Sequence, residues 1–574
     1  MHTGKRLAGA VVVAGVSLLV ASACGGGGSS DNGKSVSTSF ADCATKPNDC
    51  NSGEIKKGGT LTYTIEKKIT GWNLNDADSN TFDFQEVLDG VLPSAFNTNP
   101  DFQPTLNTDM LASAELTSTS PQTVVYKIKP EAVWNDGTPI TVDDFTYGWQ
   151  TQNGKDCKDC SAASNAGYDL IKSITGADNG KTVTVVYDSP YADWKGLFGP
   201  IYPAHVAKQH GDLATSWKWL NETQPAYSGG PFQIPADGYQ KDVSVTLVPN
   251  PKWYGKTKPS LDKIVFRIIT DQAQEVPALQ NNEVQAIYPQ PNSDLVNQVK
   301  ALAPNVQYTL GKGLTWEHLD LNLKNKFLAD KVLRQAIFTT VDRQAVIDKT
   351  IGQFVPGAKP LNNHNFMPGQ DGYKDVVTSS GAGTGDVEKA KKLLTDAGYK
   401  GVGTALTTAA GEPVTLRISY TNGNALRKQS AELFQNEMSQ LGIKVDITPT
   451  QALGKTLTAG DYDVIIFAWV GTPYPYSGAQ QLWGSESDSN YGKWVSKESD
   501  DLLKKAAAET DPKKGADYLN QADQIMANDY YVLPLFQKPT FLAVYSQYAN
   551  IRDNATNVGP PYNTQEWGLR ASAK

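Results

Sequence analysis

The segment Leu426-Arg-Lys-Gln-Ser-Ala-Glu-Leu-Phe-Gln-Asn-Glu-Met-Ser-Gln-Leu-Gly-Ile-Lys-Val-Asp-Ile447 decides the fold class. Leu426, Leu433, Phe434, Met438 and Leu441 recur at helical spacing as one apolar stripe, and Gly442 stands where a helix is usually stopped. Ile443–Ile447 alternates apolar and polar side chains as a strand does. Val464-Ile-Ile-Phe-Ala468 is apolar throughout, the pattern of a strand buried on both faces. Helix followed at once by strand predicts α/β lobes with mixed sheets.

The same texture extends in both directions. Thr60–Ile65, Val124–Ile128, Val183–Tyr187, Val243–Val248 and Ile264–Ile269 read as strands, and Leu333, Ala336, Ile337 and Val341 share a helical face. At 574 residues the chain exceeds the ~100–200 of one domain. Its 39% hydrophobic and 20% charged residues suit a folded core. Lys and Arg number 52 against 60 Asp and Glu, a net charge of −8 with no basic cluster, which disfavours a nucleic-acid partner. The 12 Trp and 25 Tyr call for a role in core or recognition.

Lys5-Arg6 precede the apolar run Leu7–Ala23, whose 17 residues fall short of a membrane span and predict a signal peptide over 1–23. Its loss moves the net charge from −8 to −10. The run ends Val20-Ala-Ser-Ala-Cys24 before Gly25–Ser30 and resembles a bacterial lipobox, with Ala21 where Leu is usual. That resemblance implies acylation of Cys24, attachment to the cell membrane, and a flexible linker over 24–57. An ordinary signal peptide cleaved after Ala23 is the other reading. No later stretch is apolar enough to span, so 31–574 is expected to be soluble.

Cys43, Cys50, Cys157 and Cys160 form two short-range pairs, read as disulfides Cys43–Cys50 and Cys157–Cys160 in an exported protein. A redox or zinc role for the second pair is the alternative. No G-x-S-x-G elbow, Walker loop, H-E-x-x-H or Rossmann glycine triplet occurs. His205 and His210, spaced H-x4-H, are read as lacking an acidic partner and so as structural or surface residues, and Asp461 and Asp463 read as turn formers before a strand. We therefore expect no enzyme, no cofactor and no metal.

Four blocks together resemble the extracytoplasmic solute-binding proteins of ABC importers, the peptide/nickel/oligosaccharide group. They are Val125–Trp149, with Trp134-Asn-Asp-Gly-Thr-Pro139; Tyr227-Ser-Gly-Gly-Pro-Phe-Gln-Ile234 with Asn250-Pro-Lys-Trp-Tyr-Gly255; Leu321-Asn-Leu with Lys331–Phe338 and Val341-Asp-Arg343; and Tyr462-Asp-Val-Ile-Ile-Phe-Ala-Trp469 with Asn490-Tyr-Gly-Lys-Trp494. Most of these residues read as scaffold: Asp136 as a turn former, Thr141 and Asp144 as a capping box, Arg334 and Asp342 as ion-pair members. The resemblance implies an α/β, two-lobed periplasmic-binding-protein-like fold of type II, in the large cluster C class, with an extra subdomain inserted in the first lobe. The expected bounds are 58–96, 230–311 and 545–574 for lobe I, 97–229 for the inserted subdomain (lobe II) and 312–544 for lobe III.

It also implies a mechanism: hinge closure on a solute, a motion for which periplasmic binding proteins are a standard example. The partner would be an ABC permease, and the binding protein a monomer. On lobe III, Trp469, Gly471, Thr472, Tyr474 and Tyr476 are expected to line the cleft, or else to pack as core and stiff loop. Thr472 stands where peptide binders of the family carry an Asp for the peptide ammonium. On lobe I, Glu66 would meet a cationic group and Trp72 would stack on ligand or pack inward. Trp316, at the crossover, is a further candidate. Oligopeptide is the leading ligand class. The alternatives are oligosaccharide binding and a cell-envelope regulator that has lost transport.

Overall fold

Two strands of unusual length organise the chain, Val306–Leu321 with 16 residues and Val532–Tyr545 with 14. At ~3.3 Å per residue they run about 45–50 Å, long enough to pass from one lobe into the other. The computed structural model describes residues 39–573. The elements that carry the site, in chain order, are β1 (Thr60–Ile65), α1 (Phe82–Leu88), β2 (Ser244–Pro249), β3 (Lys263–Ile268), α2 (Glu275–Gln280), β4 (Ala286–Ile287), β5 (Val306–Leu321), β6 (Thr415–Tyr420), α3 (Ala425–Ser439), β7 (Lys444–Ile447), β8 (Val464–Val470), α4 (Pro475–Trp483) and β9 (Val532–Tyr545). With edge pieces Phe232–Gln233 and Tyr239–Gln240 beside β2, the strands form one 11-stranded mixed sheet, ordered β2-β3-β1-β4-β9-β5-β8-β6-β7.

The antiparallel pairing of β5 with β9 is regular from Val306↔Tyr545 to Lys312↔Pro539 and resumes at Trp316↔Gln537, so three residues of β5 oppose one of β9. Gly313 lies in that break, where a Cβ would collide with the Lys538 carbonyl oxygen. The break divides the sheet. On one side β4, β1, β3 and β2 pack around Tyr63, Phe84, Phe266 and Trp567; on the other β8, β6 and β7 pack beneath α3. α3 buries Ala431, Phe434 and Met438 and is stopped by Gly442 at φ +81°, as the stripe predicts. β8 is buried over its first four residues, as expected of a central strand.

The insertion between α1 and β2 has its own antiparallel sheet, Leu111–Thr119, Gln122–Ile128, Thr182–Tyr187 and Ile171–Ala177 in that order, with Trp134, Phe145 and Phe198 in its core. Tyr202 and Tyr227 instead join the first lobe's core. Thr141 caps the helix Val142–Gln152 and Asp144 returns a bond to the Thr141 amide at 2.9 Å, completing the capping box.

Both cysteine pairs are disulfides, Cys43–Cys50 and Cys157–Cys160, the latter packed on Trp217. Three expectations are corrected. Residues 39–57, placed in a flexible linker, are fixed: Ile55–Lys56 pairs with Gly568–Arg570, and Asn51 bonds the Ile551 carbonyl at 2.8 Å. Arg334 makes no ion pair among the described residues; its guanidinium donates to the carbonyls of Leu328, Ala329 and Asp529, while Asp342 caps the following helix. His205 does have an acidic partner, Asp136 at 2.9 Å, brought from 69 residues away. The signal peptide and Cys24 lie outside the described residues. Among those described, no helix is long and apolar enough to cross a membrane.

Candidate functional site

A cavity of about 570 Å³ opens where the two halves of the sheet meet. Its first wall begins at the end of β1, where the chain turns at Glu66 and Lys67. Asp83, in the first turn of α1, fixes that turn by accepting both amides at 2.7 and 2.9 Å. One turn on, Glu86 accepts from the Tyr63 hydroxyl at 2.6 Å. Glu275, the first residue of α2, completes the acidic floor and is fully buried. Beyond it Tyr288 donates to Asp553 at 2.7 Å and stacks on Phe82, centroids 6.0 Å apart. The opposite wall is Thr315 of β5 and Val470 of β8, cross-strand partners, with Thr540 and Phe541 of β9 between the walls.

Burial is the main influence on these carboxyls. It raises Glu275, with the charge of Glu66 next. It raises Glu66, with Asp83 adding. It raises Glu86 against the opposing bond from Tyr63. Among the described residues, Oε1 of Glu66 and both carboxyl oxygens of Glu275 have no hydrogen-bond partner of regular geometry.

A second chamber of about 310 Å³ adjoins the first at Gln290. Its charges are of the other sign. Arg427 grips Glu317 with two bonds of 3.0 Å, and Lys538 lies 3.4 Å from the same carboxylate. Burial alone would raise the Glu317 pKa, but the charges of Arg427 and Lys538 overcome it and hold it below the ordinary range. Two cations against one anion leave this chamber net positive. The combined cleft therefore has an acidic and a basic end.

Of the residues singled out from sequence, Glu66 lines the large cavity and the others lie elsewhere. Trp72 is buried, edge-on to Tyr239 at 5.0 Å, and its carbonyl accepts from Tyr202. Trp316 is fully buried against His318 at 4.7 Å. Trp469 stacks on Tyr491 at 6.0 Å. The reason for the last two is strand alternation: successive side chains leave a strand on opposite faces. The Thr315–Val470 pair takes the cavity face, so the adjoining Trp316–Trp469 pair takes the core face. Gly471 is small because β5 passes close by; its amide bonds the Leu314 carbonyl at 2.9 Å. Thr472 forms a turn, accepting from the Tyr474 amide. Tyr476 packs on Phe366 and donates to the Pro512 carbonyl.

Tyr474 meets the insertion at Gly196. Close to it Asp193 of the insertion accepts from the amide and hydroxyl of Ser477, each at 2.7 Å. Ser477 is the third residue of α4, so Asp193 satisfies one of that helix's unpaired amides from another part of the chain. The Ala192 amide bonds the Ala507 carbonyl beside it.

The fold and its cleft define a two-lobed binding protein, with a solute-sized space between lobes that share one sheet. Residues 106–491 match the family described as bacterial extracellular solute-binding proteins, family 5 middle, and the chain belongs to that family. It is 32% identical over 506 residues to the oligopeptide-binding protein OppA of Mycobacterium tuberculosis, covering 86% of this chain and 83% of that protein. It is 32% identical over 430 residues to the dipeptide-binding protein of Escherichia coli, covering 71% and 76%. In structure it is similar to the periplasmic EDTA-binding protein EppA, with a TM-score of 0.86 and 39% identity over 91% of this chain and 99% of that one.

Proposed function

We propose that the protein captures an oligopeptide outside the cytoplasmic membrane by closing lobe I (58–96, 230–311, 545–574), with its insertion 97–229, against lobe III (312–544), and delivers it unchanged to an ABC permease. Acyl chains on Cys24 hold it at the membrane. The observation that carries this reading is the polarity of the cleft: carboxyls gather at one end and the Arg427–Lys538 cations at the other. A zwitterionic chain lying along it would meet the opposite charge at each terminus. The break between β5 and β9 supplies the hinge, and ligand drives closure through contacts with both walls. The OppA relative favours peptide. The EDTA-binding relative raises a polyanion as second candidate, which the acidic floor would repel.

Native mass spectrometry of protein purified from its own host tests this. A retained peptide is expected; a retained sugar or polyanionic chelate, or hydrolysis of a supplied peptide, refutes it. Cys24→Ser should release the protein from the membrane, and continued retention refutes the anchor.

A further inference from the structure

The carboxyls on the acidic floor are not equally provided for. Asp83 has two backbone amides, Glu86 the Tyr63 hydroxyl, and Asp553 the hydroxyls of Tyr288 and Thr540. Glu66 and Glu275 face each other within hydrogen-bonding reach, yet three of their four oxygens are buried with no partner of regular geometry. The Thr64 hydroxyl beside Glu275 favours its charge, against burial and the neighbouring acids. Buried carboxylates left without donors are rare in folded proteins. Lys67 also lines the cavity; its exposed ammonium lies 4.0 Å from Asp83 and its charge favours ionised Glu66, against the larger effects of burial and of Asp83. The fold brings two acids together and, among the described residues, sets neither of them in an ion pair.

We propose that Glu66 and Glu275 form a socket for the cationic nitrogen of the solute, sharing one proton while empty and releasing it when the cation enters. This rests on the reading of the cavity as the solute site. The balance is simple: the empty pair with its proton carries one negative charge, an ammonium arrives with one positive charge, and the proton leaves to solvent. The filled socket is then two carboxylates around one ammonium. Lys67 and the Thr64 hydroxyl favour charge on the pair, and the acids and burial around it outweigh them. Asp83 and Glu86 on α1 oppose a second charge, Tyr63 is committed to Glu86, and the Tyr288–Asp553 bond closes the far side. Next to the socket, Phe82 is 37% and Val470 69% exposed from opposite walls, so the part of the solute beside its nitrogen is apolar. The substrate class is an apolar chain with a cationic end, and Glu275, far from any sequence motif, selects it.

The test uses tripeptides built from Ala, Leu and Phe, as one library with unmodified amino termini and one N-acetylated, with Fe(III)–EDTA offered alongside. Wild type is expected to retain the free-amine library at least about tenfold over the acetylated one, the scale of a charge-assisted bond in a buried site. Calorimetry of a retained peptide at pH 7 in buffers of different ionisation enthalpy should count about one proton released per peptide. Glu66→Gln and Glu275→Gln keep the shape, and circular dichroism checks their fold. Both should lose the preference to within about twofold and release no proton. Equal retention of both libraries by wild type overturns the socket and leaves the peptide reading standing. Preferential retention of Fe(III)–EDTA, or retention of neither library, overturns both. Preference without proton release overturns the shared proton.

Discussion

The contact of Asp193 with Ser477 should make lobe closure respond to pH, in a direction fixed by its geometry. Burial raises the Asp193 pKa from 3.8 to about 6, against the opposing bonds from Ser477. When the lobes part, the carboxyl returns to solvent and its ordinary value. Because the pKa is raised in contact, this contribution is fully present below pH 3.8 and is lost as pH rises through about 6. Between pH 7.5 and pH 5 the closed-to-open ratio should rise about tenfold, or ~1.4 kcal/mol. Asp193→Asn needs no ionisation and still offers an acceptor to Ser477, so it should close as wild type does at low pH and lose this dependence. Asp193→Ala removes the acceptor of the half-buried Ser477 amide, leaving its hydroxyl only Tyr191 at 3.3 Å, and should favour the open form at every pH, by about 1 kcal/mol. Small-angle scattering of ligand-free protein, read as radius of gyration at the two pH values, measures the ratio. Opening on acidification, or an undiminished pH response in Asp193→Asn, refutes the reasoning.

Arg427→Met would leave Glu317 buried with only Lys538 opposite, and should cost about 3–5 kcal/mol in denaturant unfolding; a loss below about 1 kcal/mol would mean the ion network is solvated. Gly313→Val forces a side chain onto the Lys538 carbonyl and should widen the break between β5 and β9, lowering the melting temperature and weakening peptide retention together. An unchanged melting temperature would show that the backbone yields there. Replacing Cys157 and Cys160 by Ser should cost about 2 kcal/mol for so short a loop, measured by urea unfolding.

What could be read from the sequence was local. The stripe Leu426–Leu441, the apolar run Val464–Ala468 and the Thr141–Asp144 box depend on residues a few positions apart, and each forms as expected. Glu66 is singled out because the segment Ile65–Trp72 resembles the part of the family's N-terminal lobe that meets ligand, and it lines the large cavity. Trp316 and Trp469 were misplaced by one residue each, since the aromatic drew notice while the pairing register gave the cavity to Thr315 and Val470. Glu275 carried no local signal. It meets Glu66 only because β1 and β4 lie side by side in the sheet, with α2 leading into β4. His205 found Asp136 in the same way, through tertiary packing.

The continuity of β5 and β9 bears on how this molecule melts. An apolar cluster runs from Val276 and Leu279 of α2, through Phe541 of β9, to Phe338 and to Ile418 of β6. Neither lobe can shed its layer of this core without tearing a ladder the other depends on. The same pair of strands proposed as the hinge thus binds the halves into one cooperative unit, so that bending at the mouth would need no weak link in denaturation.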